Sequence, residues 1–468
     1  MIADSSSPMH HPDGTRRRGA SHDRSSRWGW AAITGALVLH WVAFFPAVMS
    51  YDSLNQWDQV RLGEIVDWHP AAHTLLFGAL QKLFGSPAAA AALQVLLLSL
   101  LFYVALRLSA SLHPDNTRQR WGTVAFVIAS PVIGLYSVTL WKDVIFAIAI
   151  AAATLFAVRA EQGAPRGVRA VVFLAVNFSV IALFRKSGIV VLGLIVIAWF
   201  LSQRQSRRVL VAASLSALAL IGTVRYGVFR AFDVAPNDAQ AATLPFFFLA
   251  RVVVSGDGLK PENQELVTQV QSLEVIKETF DPYRVDYLLA DGTDWGVLAD
   301  RASDFFRAAI EEGLESPRLV VRHLVDTGGL AWYPLPRGDR LYIGPTNIEW
   351  YAYSVDFGLR SSEVPVLTGA LTWRVRNTAS GLLLWLVWRP GVYLWILVAS
   401  GWWWLRRLRR CVSILGPAMA SAVVVALANP APDVRYMFPT YLSLVVLVPF
   451  MTRVRQRPPK IVTGHESP

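Results

Sequence analysis

Long apolar runs recur along most of the chain, separated by short polar connections. Ten of them approach the length of a membrane-spanning helix, which is about 17–25 residues. They lie at about 29–49, 87–107, 121–138, 141–158, 169–184, 187–202, 208–228, 388–405, 411–428 and 436–452. This pattern predicts an all-α polytopic membrane protein with about ten transmembrane helices.

Residues 229–378 contain no run long enough to cross a bilayer. They predict a large, mainly helical loop domain. A first helix is predicted over about 262–280, where Pro261 pre-sets the first turn. A second helix is predicted after Asp294, a residue type favoured as N-cap, and a third opens with Ser316–Pro317.

Three apolar segments do not fit a simple span. Residues 69–84 carry two His and a Lys and predict a re-entrant or interfacial helix. Residues 244–254 contain Arg251 and predict a packed or interfacial helix. Trp388–Arg389–Pro390 interrupts a longer apolar run, because proline removes a helix hydrogen bond. The eighth span is therefore expected to begin near residue 390, with Arg389 reaching the outer membrane surface.

The part of the loop domain from 328 to 365 is rich in Gly, Pro and aromatic residues. Side chains such as Trp332, Tyr342 and Trp350 could stack on sugar faces. A membrane-interface belt or a small core uses the same residue types, so the sequence leaves these alternatives open.

Composition supports a membrane protein. Only 16% of the 468 residues are charged, compared with about 25% in soluble globular chains. The 18 Trp suit a chain with two membrane–water interfaces. Cys411 is the only cysteine, which excludes an intrachain disulfide and a CxxC metal or redox site.

The net charge of +11 comes mostly from arginine, clustered in short connections between apolar runs. This is the positive-inside pattern of a membrane protein, and no nucleic-acid-binding module is visible. The clusters at 107–120, 159–169, 204–208 and 406–410 fall on one side if residues 69–84 do not cross. Both termini are then cytoplasmic, and the first run is an uncleaved anchor, since no cleavage site follows it.

The predicted organisation follows from this orientation in a bacterial plasma membrane. A disordered basic cytoplasmic tail, 1–28, precedes an N-terminal transmembrane module, 29–228. That module includes an acidic first outer loop, 50–70, and the interfacial helix 69–84. The remainder consists of an extracytoplasmic loop domain, 229–378, C-terminal transmembrane helices, 379–452, and a cytoplasmic tail, 453–468.

The acids outside the tails, the inside loops and the loop domain all fall on the outer side. They are Asp52, Asp58, Glu64, Asp67, Asp143 and Asp433. Three of the outer connections are short and carry neighbouring charges: Lys142–Asp143, Arg185–Lys186 and Asp433–Arg435. Charges at the end of a helix bundle are costly and tend to be functional or mutually paired.

Four motifs carry a resemblance to a known class of enzyme. They are SYDSLNQWDQVRLGEIVDWHPAAHTLL (50–76), TLWKD (139–143), FRKSG (184–188) and PDVRYMFPTYLSL (432–444). In this order, with a large late outer loop, the chain resembles the GT-C class of membrane glycosyltransferases. Within that class it resembles an actinobacterial group of uncharacterised proteins.

The resemblance implies sugar transfer from a polyprenyl-phosphate-linked donor to a glycan, lipid or protein acceptor, with inversion at the anomeric carbon. It implies an Asp of the first outer loop as base, and Asp52 matches that position best. The class often has an acidic pair in this loop. Here the second carboxylate, Asp58, is six residues away, which departs from that pattern.

The chemistry of the residues agrees with this placement. A carboxylate can accept the proton that the attacking hydroxyl loses, and cations stabilise the charge that grows on a phosphate leaving group. Lys142, Arg185, Lys186 and Arg435 are the candidate donor-phosphate ligands. The candidate supporting residues are Asp58, His69, Asp143 and Tyr436.

Each candidate also has a simpler interpretation. Asp52 could be a helix-terminal turn residue, Lys142–Asp143 a local ion pair, and Arg185–Lys186 could reach lipid phosphates. His69 could only shape the chain before Pro70. Asp67, His69 and His73 lack a recognised metal-ligand spacing. GT-C enzymes occur with and without a divalent metal, so no metal site and no cofactor are assigned.

Two other functions fit a polytopic chain. One is a transporter or flippase for a lipid-linked or amphipathic substrate, a class that typically has internal repeats and polar groups near the midplane. The other is a non-catalytic scaffold, which has no use for cations at three separate outer connections.

Overall fold

A computed structural model describes residues 14–163, 167–237, 239–289, 292–335, 339–343, 359–360, 362, 364–405 and 408–451. The first helices, α1 to α5, are Gly14–Ala43, Tyr51–Leu62, Ala71–Phe84, Ala88–Leu112 and Thr117–Ala129. Helices α6 to α10 are Pro131–Val138, Lys142–Gln162, Val168–Leu183, Gly188–Ser202 and Arg204–Ala231.

The loop domain and the C-terminal part continue the helical pattern. Helices α11 to α16 are Ala239–Ser255, Pro261–Val270, Leu273–Thr279, Trp295–Asp300, Ala302–Glu315 and Pro317–Trp332. Helices α17 to α21 are Pro365–Thr378, Gly381–Trp388, Pro390–Leu405, Leu408–Leu427 and Val434–Phe450. Among the described residues, extended pairing is limited to isolated bridges, so the all-α prediction is confirmed there.

Each of the ten predicted apolar runs overlaps one or two helices; the run at 29–49 continues beyond the end of α1 at Ala43, and the run at 121–138 is divided between α5 and α6. Among the described residues, four helices are long and apolar enough to cross a membrane, namely α4, α7, α10 and α20. The number rises to six if the bent pairs α5–α6 and α18–α19 each form one span. These helices give the chain the character of a helical membrane protein, while the count of ten spans stays a prediction.

Both bent pairs break at a proline. Ser130 caps α6, its Oγ accepting from the Ile133 backbone N–H at 3.1 Å, and Pro131 begins that helix at 61° to α5. Pro390 begins α19 at 50° to α18, which agrees with the break predicted from the sequence.

Arg389 does not reach the membrane surface. It is 2% exposed, its NH1 lies 2.8 Å from an oxygen of Asp339, and its Nε donates to the carbonyl of Tyr333 at 3.0 Å. The prediction that this side chain reaches the outer membrane surface is therefore wrong. Its partners come from the loop domain, 50 and 56 residues earlier, and no local pattern indicates them.

The loop domain has its own apolar core, to which Phe246, Leu266, Leu298 and Phe305 contribute. Asp294 caps α14 as predicted, its Oδ1 accepting from the Val297 N–H at 3.0 Å.

The helix predicted over 262–280 is instead two helices. The chain is extended at Gln271, and Ser272 starts a new helix by accepting from the Val275 N–H. Residue 251, predicted to lie in a packed or interfacial helix, is buried in α11 and paired with Asp326 at 2.7 Å. Trp350, one of the aromatic residues for which the sequence leaves sugar stacking, a membrane-interface belt or a small core open, lies outside the described residues.

Segment 69–84 forms α3. Its 14 residues correspond to about 21 Å of helix, which is shorter than the hydrocarbon core of a bilayer. The helix prediction is confirmed, and its length agrees with a segment that does not cross.

Isolated parallel bridges join loops that are distant in the chain. Val48 pairs with Thr139, Val66 with Ala235, and Tyr342 with Asp433. The first loop is thereby attached to the start of α7 and to the loop domain, and the loop domain is attached to the start of α21. These bridges converge on the segments that carry the predicted site.

Candidate functional site

Asp52 lies in the first turn of α2 and is at the centre of a charged cluster. One oxygen, Oδ2, accepts from Arg435 NH1 at 2.8 Å and from Lys142 Nζ at 3.2 Å. The two cations are 383 and 90 residues away in the chain. The side chain of Asp52 remains 23% exposed, so the cluster is open to ligands on that side.

Local backbone pairing explains why Asp52 meets Lys142. The Val48 N–H donates to the carbonyl of Val138, and the Leu140 N–H donates to that of Val48, both at 2.9 Å. Trp141 Nε1 then donates to Ser50 Oγ at 2.6 Å. The turn that starts α2 is thus held against the turn that starts α7.

Arg435 joins three carboxylates. Besides Asp52, its Nε lies 2.8 Å from Asp433 Oδ2 and 3.8 Å from Asp143 Oδ2. Its guanidinium lies over the rings of Trp141, at 4.7 Å, and Tyr436, at 5.3 Å. These aromatic faces fix the plane of the guanidinium and leave its edges for anions.

Asp143 is the most buried charge of the cluster, with 1% of its side chain exposed. Arg185 NH1 lies 3.5 Å from its Oδ1, and Arg185 also donates to the Tyr436 carbonyl at 3.4 Å. Within the described chain, neither Asp143 oxygen has a partner at hydrogen-bond geometry. Its charge is therefore balanced by ion pairs with Arg185 and Arg435 and not by hydrogen bonds within the described chain.

A second, neighbouring pair includes Lys186. Its Nζ lies 2.5 Å from Asp67 Oδ2, while the other oxygen of Asp67 accepts from the Ala71 N–H at 2.9 Å. His69 Nδ1 lies 3.1 Å from Lys142 Nζ and connects this pair to the Asp52 cluster.

Asp67, His69 and His73 do not form a metal site among the described residues. His73 points to Gln56 instead, with 3.1 Å between Nδ1 and Oε1.

Asp58 does not join the cluster. It pairs with Arg61 at 2.9 Å on the same helix. Six residues of α-helix rotate the side chain by about 600°, so Asp52 and Asp58 project about 120° apart. Helical geometry therefore separates the two carboxylates that the first loop offers.

The charges of the cluster balance each other. Burial alone raises the pKa of the Asp52 carboxyl, but the charges of Arg435 and Lys142 outweigh it and hold that pKa well below its usual range. Burial raises the pKa of Asp433 to about 6, although Arg435 opposes the shift. Asp52 is thus fully ionised at neutral pH, and the pKa of Asp433 lies nearer to neutral pH than is usual for an Asp.

Sequence reasoning did not assign roles to Asp433, Trp141, Asp67 or Asp286. Asp433 and Trp141 lie inside the DVRY and TLWKD motifs, beside the candidates Arg435 and Lys142. Their position next to these residues could have indicated them. Asp286 lies in the loop domain, where burial and the charge of Asp52 raise the pKa of its carboxyl. No motif indicated it, because its proximity depends on Val285 bonding to the Pro430 carbonyl.

Comparison of the chain with protein-family models, with curated proteins and with solved structures finds no significant match. The interpretation of the cluster therefore depends on its geometry and chemistry.

The first prediction concerns His69. Burial, reinforced by the charge of Lys142, lowers the pKa of its imidazole to about 3, so the folded chain keeps it neutral. The unfolded chain takes up a proton below about pH 6.5, and stability therefore falls as pH falls through that value. Between pH 7 and pH 5 the expected loss is about 2 kcal/mol.

Thermal unfolding of the detergent-solubilised chain at pH 5 to 8 measures this dependence. His69→Asn should flatten it by about one proton. His323→Asn, in the loop domain, is a comparison variant with its own buried imidazole, whose pKa burial lowers to about 4. An unchanged pH slope in His69→Asn contradicts a neutral, buried His69.

Proposed function

We propose that the chain is a membrane glycosyltransferase of the GT-C type. It transfers a sugar from a polyprenyl-phosphate-linked donor to an extracytoplasmic acceptor. The observation that carries the proposal is the contact of Asp52 with Lys142 and Arg435. One carboxylate and two cations from three distant segments are brought within hydrogen-bond reach at an accessible position.

The membrane arrangement is part of the proposal. About ten helices cross a bacterial plasma membrane, both tails are cytoplasmic, and the cluster faces outward beneath the loop domain. In support, α7 carries Lys142 at one end and Arg159 in its last turn at the other. Its 21 residues correspond to about 30 Å, the thickness of the hydrocarbon core.

Phosphate binding would change the state of Asp52. In the structure, Asp52 is bound to both of the cations that a donor phosphate needs, Lys142 and Arg435. A phosphate that binds Lys142 and Arg435 draws their charge away from Asp52, which raises the pKa of the carboxyl and makes it a better base. Donor binding therefore prepares the residue that accepts the proton.

The transfer step uses these groups in defined roles. The acceptor oxygen bonds to the anomeric carbon on the face opposite the phosphate, while the bond from that carbon to the phosphate oxygen breaks. The hydroxyl proton passes to Asp52, and the electron pair leaves with the polyprenyl phosphate. Lys142, Arg435 and Arg185 stabilise the added negative charge.

The transporter or flippase alternative remains a prediction of the sequence. A transporter would move the lipid-linked substrate without forming a glycosidic bond. The two functions therefore differ in the product and not in the substrate class.

The second prediction follows from this difference. Deletion of the gene is expected to remove a sugar from an envelope glycan and to cause the matching polyprenyl-phosphate sugar to accumulate. Mass spectrometry of lipid-linked sugars and of envelope glycans measures both changes, and re-expression of the wild-type chain is the control. Unchanged glycans, or a missing sugar that purified chain cannot attach in vitro from the accumulated lipid, would contradict the proposal.

A further inference from the structure

A pocket lies at the end of the bundle opposite the Asp52 cluster. It is a cavity of about 220 Å³ between the end of α7, the turn from α9 to α10 and the start of α20. Its polar lining is Glu161, Gln203, Gln205, Ser206, Arg409 and Arg410. Since a water molecule takes about 30 Å³ in the liquid, the cavity has room for a phosphate group and bound water.

The charge around this pocket is strongly positive. Arg409 and Arg410 line it, and four more arginines stand in the adjoining segments 159–161 and 204–208, against the single acid Glu161. Arg410 Nε lies 3.6 Å from Glu161, which is longer than a strong hydrogen bond, and about half of the Arg410 side chain is exposed. Arg410 can therefore turn its guanidinium towards an anion in the cavity.

The back wall of the pocket is fixed by hydrogen bonds. Arg409 Nε donates to the Ser202 carbonyl, and Gln203 Nε2 donates to Ser413 Oγ at 2.7 Å. Trp199 Nε1 donates to the Ser413 carbonyl at 2.8 Å. Helices α9 and α20 are thereby tied together beneath the cavity, so its shape is set before a ligand binds.

We take exposed apolar side chains that flank the lining segments in the chain as the rim of the pocket. Leu201, two residues before Gln203, is 67% exposed, and Trp402, near the end of α19, is 60% exposed. Exposed Leu and Trp beside arginines are typical of the level where acyl chains meet headgroups. A soluble anion would gain nothing from such a rim, whereas a phospholipid would.

We propose that this pocket binds the phosphate group of an anionic phospholipid in the adjacent leaflet. Arg410 contacts the phosphate directly, with Gln205 and Ser206 as neutral donors, and the acyl chains lie along Leu201 and Trp402. The site is independent of the sugar-transfer proposal, because it requires only that the chain sits in a bilayer. Basic pockets between helix ends are suited to such headgroups.

The test uses the full chain in mixed micelles, titrated with dioleoyl phosphatidylglycerol while the thermal-unfolding midpoint is followed. The midpoint is expected to rise with phosphatidylglycerol, and phosphatidylcholine or inorganic phosphate should leave it unchanged. In Arg410→Gln the apparent affinity for phosphatidylglycerol should fall about fivefold. Arg208→Gln, the same change at an exposed residue outside the pocket, should keep the wild-type affinity.

A second variant keeps the proposal testable if Arg410→Gln folds poorly. Gln205→Glu keeps Arg410 and adds a negative charge to the pocket, so it should also weaken phosphatidylglycerol binding. Equal losses in Arg208→Gln and Arg410→Gln would overturn the proposal, because the effect would then be general surface charge. A response to inorganic phosphate equal to that for the lipid, or no response to phosphatidylglycerol, would overturn it as well.

Discussion

Replacement of Asp52 by Asn is expected to lower kcat for sugar transfer by about 10²–10⁴-fold, the range for loss of a general base. The amide keeps the size of the side chain and can still accept a hydrogen bond from Arg435, but it cannot take the acceptor proton. Donor KM should change much less. Initial rates with a labelled polyprenyl-phosphate sugar measure both constants.

The chain offers a matched control for this variant. Asp58→Asn makes the same chemical change on the same helix, where the carboxylate pairs with Arg61 away from the cluster. It is expected to keep wild-type kcat. If Asp52→Asn transfers sugar at the rate of Asp58→Asn, with equal folding yield, Asp52 is not the base.

Replacement of Arg435 by Lys is expected to raise donor KM by tenfold or more, since a bidentate phosphate ligand becomes a point charge, a change worth about 1.4 kcal/mol or more. Lys also cannot span Asp52 and Asp433 as the guanidinium does. Truncation to Ala would instead take the cation away from the buried carboxylate of Asp433, at a cost of about 3–5 kcal/mol. Lys is therefore the informative substitution.

Arg251→Lys separates donor binding from stability. Arg251 is also buried and also paired with an aspartate, Asp326, but it lies in α11 of the loop domain. Both variants should lower the unfolding midpoint, and only Arg435→Lys should raise donor KM. Equal KM values in the two variants would remove Arg435 from the donor site.

Helical segments could be predicted from the sequence because their signal is local. Each apolar run overlaps a helix, although the run at 121–138 is broken at Pro131, and the proline at residue 390 marked a real break. The break at Gln271–Ser272 was missed because the apolar spacing continues across it. The helix ends there because Gln271 is extended and Ser272 caps the next helix. Neither feature changes the apolar periodicity.

The residues of the site could be predicted from the sequence, but the contacts between them could not. Clustering charges at the outer helix ends identified Asp52, Lys142 and Arg435, but nothing in the sequence specifies that Arg435 contacts Asp52 across 383 residues. That contact depends on how α7 and α21 pack. The assignment of Lys186 to Asp67 likewise depends on where α2 and α3 lie relative to α9.

Arg389 is another residue whose distant partner could not be predicted from the sequence. An arginine beside an apolar run predicts a side chain that reaches the membrane surface, and that is what single-sequence reasoning gave. The structure buries it with Asp339, because the loop domain folds back over the α18–α19 break. A buried partner that is 50 residues away leaves no trace in the local pattern.

The turn at the start of α21 has a consequence for biosynthesis. It supplies both Asp433 and Arg435, and it is made by the ribosome after every other part of the cluster. Until it emerges, Asp52 has Lys142, and Asp143 has the long contact with Arg185. A nascent chain that stops short of this turn therefore carries the earlier helices but lacks the guanidinium that joins Asp52 to Asp143.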